Sequence, residues 1–353
     1  SSLLKVFRNS RKKTVLVIAI CGTAAWLLNC LTKVHIWAGI VIRALQGIVM
    51  GAYSAISPVY LVEIAPPNYS GFYGNLNQIG IMTGMIFLDF VGPSLSYLEM
   101  NYVGAAFTAL QLILIWFVIE SPAVEILNEA GDDSNEKKEP FWQKKNMFGL
   151  FIGVAMMFIQ QFCGINAILT DLASLMNSSG LALDGNYQAG IASCSQLVAV
   201  FVGAAVIDKL GRRIVWLASC SIIVIFLLIF ALNTKYNWST ALPLVCIFLY
   251  QFGFGLGMGP IPWFIIPEIF EAEFRSTASS WVTVSNWTFS FIIIFVWPAM
   301  HDGIGMFNSL IFFMCVTIVG IIFGILCVHN AKADVTGEDV DDGEDSDSKP
   351  DSL

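Results

Sequence analysis

The feature that most constrains this chain is the recurrence of apolar runs close to the ~20 residues a helix needs to cross a bilayer core. They fall at roughly 14–32, 36–61, 70–93, 101–120, 147–175, 187–207, 214–232, 241–267, 276–300 and 306–329. A soluble fold of 353 residues cannot bury so many such helices joined by short loops. Only 12% of the residues are charged, about half the usual share of a soluble domain, and mean hydropathy is +0.72. Lipid offers the backbone no partners, so spans of this kind must be helices. The sequence therefore predicts an all-α polytopic membrane protein with ten transmembrane helices.

Charge placement sets the orientation. With the N-terminal segment in the cytosol, the inner loops hold Lys5, Arg8, Arg11, Lys12, Lys13, Lys137, Lys138, Lys144, Lys145, Lys209, Arg212, Arg213, Arg275, Lys332 and Lys349. The outer loops hold Lys33 and Lys235. Such an imbalance follows the rule that cytoplasmic loops are rich in Lys and Arg. The glycosylation-type triplets at Asn177 and Asn237 then lie outside. The net charge of −8 is local: Glu338, Asp339, Asp341, Asp342, Glu344, Asp345, Asp347 and Asp351 crowd the C-terminus. That stretch reads as a solvated tail. No basic, aromatic surface points to nucleic acid. The eight cysteines lie in apolar segments without metal-ligand spacing and read as small buried side chains. No enzyme chemistry, cofactor or metal site is expected, and oligomeric state is left open.

The longest polar break divides four spans from six. It gives an N-terminal helical half (1–127), a cytoplasmic linker (128–146), a six-helix half (147–330) and an acidic tail (331–353). An internal repeat crosses the break. Arg8-Asn9-Ser10-Arg11-Lys12 and Lys209-Leu210-Gly211-Arg212-Arg213 precede spans at an offset of 201; Glu63-Ile64 and Glu268-Ile269 end spans at an offset of 205. Parallel half-repeats of this kind are a transporter architecture. On that logic two helices equivalent to the first two of the second half are missing from the N-terminus.

Three constellations carry chemistry. Gln160-Gln161-Phe162-Cys163-Gly164-Ile165-Asn166 puts three carboxamides in one span, which costs energy unless they face a cavity or a partner. Carboxamides both donate and accept, as sugar hydroxyls do. On a straight helix Gln161 and Asn166 diverge, and a break at Gly164 would let them converge; the competing reading is an interhelical clamp. Gly257-Met258-Gly259-Pro260-Ile261-Pro262-Trp263 must kink or unwind its span. Trp263 then offers a flat wall for a sugar ring, or else an interfacial anchor. On the cytoplasmic side Arg11, Glu63, Arg212, Arg213, Glu268 and Arg275 either form a salt-bridge lock or merely set topology. Asp89 and Asp171 read as wetted outer ends of their helices.

The chain resembles the sugar porter family of the major facilitator superfamily over roughly residues 8–329. Further motifs carry the likeness: Arg43-Ala44-Leu45-Gln46-Gly47 with Gly51, Pro58, Tyr60, Glu63 and Pro66; Gln78 after Gly74; Glu120-Ser121-Pro122; Asp208 to Arg213; and Asn286-Trp287. The resemblance implies a major facilitator fold, here without its first two helices. It implies a sugar site of Gln78, Gln160, Gln161, Asn166, Gln196, Trp263 and Asn286, flanked by Gly259 and Trp287. Arg11, Glu63, Glu120, Arg212, Arg213, Glu268 and Arg275 would form the cytoplasmic gate. Departures include Gly255, where the glucose transporters carry Glu, and Ser70 and Ala123, where the family places Arg. The expected function is facilitative, alternating-access transport of a hexose or polyol, with a sugar substrate and the bilayer, most simply the plasma membrane, as partners. The alternatives are a non-transporting sugar sensor or an inactive fragment.

Overall fold

The structure, a computed structural model, describes residues 9–33, 35–66, 68–124, 128, 141–172 and 185–328. The described part is all-helical. Helix α1 (Arg11–Leu28) starts at Ser10, whose hydroxyl accepts from the Lys13 amide, and runs into a 3-10 turn, Asn29–Lys33. Then come α2 (Ile36–Glu63), α3 (Ser70–Val91) and α4 (Tyr97–Leu114). Helix α4 opens with a reciprocal box between Ser96 and Glu99, which satisfies donors that a helix start leaves orphaned.

The second half begins with α5 (Lys144–Phe162) and the short α6 (Ile165–Thr170). Between them Gly164 takes φ 93°, a left-handed conformation that glycine adopts without a Cβ penalty. Helices α7 (Gly185–Leu210) and α8 (Arg212–Tyr236) meet at Gly211, φ 83°. Helix α9 (Leu242–Gly253), a π-helical turn (Phe254–Met258) and α10 (Ile261–Ile269) form one interrupted span. Helix α11 (Ala272–Cys327) runs 56 residues with a break at Gly305, φ 77° and ψ 162°.

Among the described residues eight helices are long and apolar enough to cross a membrane. Two of the ten expected spans are not counted separately. Helix α3 carries Asn75, Asn77 and Gln78, which dilute its apolarity, and the last two spans are joined within α11. Most of the 128–146 linker, the Asn177 triplet and the tail after Val328 lie outside the described residues.

One continuous core fills the second half, built around Met156, Trp216, Tyr250, Phe264 and Phe313. The first half has only a small cluster of Val15, Ile18, Ile56 and Ile115. Helix α2 turns Ile36, Trp37, Ile40, Val41 and Ile48 outward. An apolar face of that extent suits lipid. The same lipid exposure corrects the reading of the cysteines: Cys163, Cys220 and Cys246 are buried, but Cys21 and Cys315 are exposed. An apolar sequence context predicts removal from water, and in a membrane protein removal from water is not burial in protein.

Candidate functional site

The positive φ at Gly164 turns α6 away from the axis of α5, and Asn166 comes back onto Gln161. Asn166 Nδ2 donates to Gln161 Oε1 at 2.5 Å and to Ser290 Oγ at 2.9 Å. Gln161 Nε2 donates to Asn286 Oδ1 at 2.7 Å. Gln160 Nε2 donates to the carbonyls of Met258 and Gly259 at 2.9 and 2.8 Å. Four carboxamides and one hydroxyl, drawn from α5, α6 and α11, thus form a network tied to the interrupted span. All but Asn166 are buried. No cation or carboxylate takes part in these bonds, so the network presents neutral donors and acceptors.

The other expected sugar contacts stand apart from this network. Gln78 is buried on α3 and makes no hydrogen bond among the described residues. Gln196, on α7, is 1% exposed with its Oε1 unpaired. Trp263, on α10, is half-buried against the core. Sequence reasoning missed Ser290, which shares the face of Asn286 one helical turn on; that spacing was the available signal.

The carbonyls that hold Gln160 are free because the span is interrupted there. The π-helical turn and the Gly259-Pro260 turn leave backbone groups outside the usual ladder, and such bulges gather at functional sites. Glycines let this turn press against its neighbours: a Cβ on Gly255 would overlap the Gln196 carbonyl, one on Gly203 the Leu256 carbonyl, and one on Gly257 the Val215 carbonyl. The Gly255 position, where the glucose transporters carry Glu, thus has no room for a side chain.

Outside this network the two halves repeat one motif. Arg11, 1% exposed, pairs with Glu63 through two parallel bonds of 3.0 and 2.8 Å. Arg212 pairs with Glu268 in the same fork, at 3.1 and 2.6 Å. Forked Arg–carboxylate pairs of this kind fix geometry as well as charge. Glu120 caps α1: it accepts from the Ser10 hydroxyl and from the amides of Arg11, Lys12 and Ser121. Burial alone would raise its carboxyl, but the Ser10 hydroxyl and the three amides outweigh burial and hold it below the usual carboxylate range. Ser121 Oγ donates to Glu63 at 2.6 Å and joins the two carboxylates into one assembly.

Contacts between the halves come from Ser70, which departs from the family pattern, and from Asp208, which opens the Asp208 to Arg213 motif. Ser70 Oγ donates to Glu268 at 2.6 Å and accepts from Arg212 at 3.0 Å. Asp208 accepts from the amides of Gly71 and Phe72 at 3.0 and 2.9 Å, and from Arg212 at 3.0 Å. A carboxylate of one half therefore caps the helix start of the other, where the helix dipole favours negative charge. Two of the expected gate residues stand aside. Arg213 donates to the Ile325 carbonyl at 2.8 Å, and Arg275 uses its Nε on the Phe270 carbonyl at 2.9 Å. Asp171 accepts from the Trp297 indole, and Asp89 from Ser193 at 2.9 Å, so both outer acids have protein partners.

Comparison with known proteins adds three findings. Residues 4–136 and 123–337 match the family model described as sugar (and other) transporter. The facilitated trehalose transporter Tret1 of Bombyx mori is 29% identical over 366 residues, covering 91% of this chain and 71% of that protein. Its counterpart in Apis mellifera ligustica is 27% identical, with 91% and 72% covered. Among solved structures, the major facilitator proton:xylose symporter XylE, bound to 6-bromo-6-deoxy-D-glucose, superposes with a TM-score of 0.78. It is 19% identical and covers 91% of this chain and 81% of that one. That last likeness is one of fold.

Proposed function

The chain belongs to the sugar (and other) transporter family, and on that premise we propose that it carries a small neutral sugar across a membrane by facilitative alternating access. The carrying observation is the neutral network of Gln160, Gln161, Asn166, Asn286 and Ser290, which matches hydroxyls in donor and acceptor character and holds no charge for an ionic substrate. Gln78 and the Oε1 of Gln196 are uncommitted groups ready to add to it. The names of the insect relatives make trehalose a candidate beside the hexoses and polyols. The plasma membrane is the proposed location.

We propose ten spans, counting α3 separately and dividing α11 at Gly305. A cavity of about 590 Å³ opens between α2, where Gly47 and Gly51 face empty space, and α11, where Ser276, Ser280, Thr283 and Trp287 line it. At the repeat offset of 205 those four match Gly71, Asn75, Gln78 and Met82, all buried on α3. Helix α3 packs along α7, so the counterpart of α7 is the element that would fill the groove.

The test is uptake of labelled glucose and trehalose in transport-deficient cells. We expect saturable, competable uptake when two further spans precede the chain and none from residues 1–353 alone. A sensor would bind sugar without flux. Absence of sugar binding in either form counts against the proposal.

A further inference from the structure

Helix α9 is apolar along its length except for Tyr250 and Gln251. A polar side chain inside a membrane span costs free energy unless it faces a cavity or a partner. Tyr250 has partners: its hydroxyl lies 3.2 Å from the Cys163 carbonyl and 3.6 Å from the Cys163 thiol. Gln251 is fully buried, and neither its Oε1 nor its Nε2 has a hydrogen-bond partner among the described residues. Buried polar groups are nearly always bonded, so an amide with all its capacity unused calls for a partner from outside the protein.

Its neighbours fix where this amide stands. The Phe248 carbonyl accepts from Ser195 Oγ of α7 at 2.7 Å, and a Cβ on Gly255 would lie 2.4 Å from the Gln196 carbonyl and 2.9 Å from Gln196 Cγ. Residues 248, 251 and 255 are spaced three and four apart and share one face of the helix, so Gln251 lies along α7 between these two contacts. Tyr250, the next residue round the helix, reaches the carbonyl immediately before the Gly164 break. Further along, the Met258 and Gly259 carbonyls hold Gln160. The interrupted span thus meets the carboxamide network at two levels, and Gln251 stands at the first of them, on the α7 side. There Gln196 Oε1 is unpaired too. Gly255, next on the same face, has no room for a side chain. Gln160, Gln161 and Asn286 are buried about as closely as Gln251, so the site as a whole is closed in this conformer. What distinguishes Gln251 is that its bonds are unmade.

On the reading of the chain as a sugar carrier, we propose that Gln251 is a further sugar-binding residue. Its amide takes a hydroxyl of the bound sugar from the α7–α9 side, beside Gln196, while Gln161, Asn166 and Asn286 take the sugar from the α5–α11 side. An amide both donates and accepts, so it bonds a hydroxyl in either sense. The interrupted span then serves the site twice: its backbone carbonyls orient Gln160, and about two helical turns away it adds a side chain of its own.

The test compares wild type, Gln251→Met and Gln161→Ala in the uptake-competent form, by competition with glucose and trehalose and by melting in detergent without sugar. Methionine keeps the length of the side chain and removes its hydrogen bonding. We expect Gln251→Met to melt no lower than the wild type, because it removes an unpaired buried amide, and to bind the transported sugar at least about fivefold more weakly. An affinity within about twofold of the wild type overturns the proposal and leaves Gln251 a tolerated unpaired amide. Weaker binding accompanied by a lower melting temperature without sugar also overturns it, since the amide would then be holding the fold. Loss of affinity in Gln161→Ala but not in Gln251→Met defeats this proposal alone. A wild type that binds neither sugar defeats the sugar-carrier reading and this proposal with it.

Discussion

At the scale of single residues, the chemistry rests on polar groups whose partners are supplied from far along the chain. Glu120 is the clearest case for measurement. Its carboxyl is held low in the folded state, so it stabilises the fold above the ordinary carboxylate range, and that contribution is lost as pH falls through the lowered value. Glu120→Gln should therefore cost about 1 kcal/mol at neutral pH, the usual scale for a helix cap. The gap in melting temperature between wild type and variant should close on acidification; a gap that persists unchanged at pH 2 to 3 would assign Glu120 no such role. The sequence made the types of these residues legible but not their partners. Two Gln and an Asn in an apolar span announce a polar site. Nothing in the local pattern says that Asn286, more than a hundred residues on, accepts the Gln161 bond. In the sequence Ser70 is visible only as a departure from Arg and Asp208 only as part of a motif, because nothing in either half alone says that both bond across the seam.

At the scale of elements, glycine placement decides how helices approach. Gly164 was readable, because two amides on one straight helix could not converge without a break. The length of the π-helical turn was not, since Gly and Pro announce an interruption without saying which ladder replaces the usual one. The close contacts give two predictions. Gly203→Ala puts a methyl group into the Leu256 carbonyl, backbone that cannot move aside, and should destabilise the second half by about 1–3 kcal/mol, the overpacking range. Thermal unfolding in detergent checks this, and an unchanged midpoint would mean that the turn is loosely held. Gly74→Leu acts across the halves, where even a Cβ would overlap the Phe264 ring. It should prop the α3–α10 seam open, and a cysteine introduced at Thr283 should label faster from the cytoplasmic side than in the parent. No change in rate would show that this seam can yield without opening the cavity.

At the scale of the whole molecule, two halves built on one pattern are joined beside their Arg–Glu forks by a few cross-half bonds. Asp208→Asn removes the charge that caps α3 and one of the two acids on Arg212. Hydrogen bonds to charged groups contribute about 1.5–3 kcal/mol, so the inward-facing population should rise roughly tenfold or more, read by the same cysteine. The repeat offsets made the paired Arg–Glu forks legible, because the motifs that hold Arg11 and Arg212, and Glu63 and Glu268, recur at a spacing that is counted along the chain. The sequence also separates 70–93 as a span and 276–300 from 306–329; the structure has α3 as a helix of its own and interrupts α11 between the latter two, at Gly305. The central claim is that the carboxamide network binds the sugar. Its most direct test is the affinity for glucose and trehalose of the wild type and of Gln161→Ala, by competition in the uptake-competent form. The variant should bind about 1–3 kcal/mol more weakly, roughly 5- to 150-fold, with surface expression unchanged. An unchanged affinity in correctly inserted protein would contradict the account.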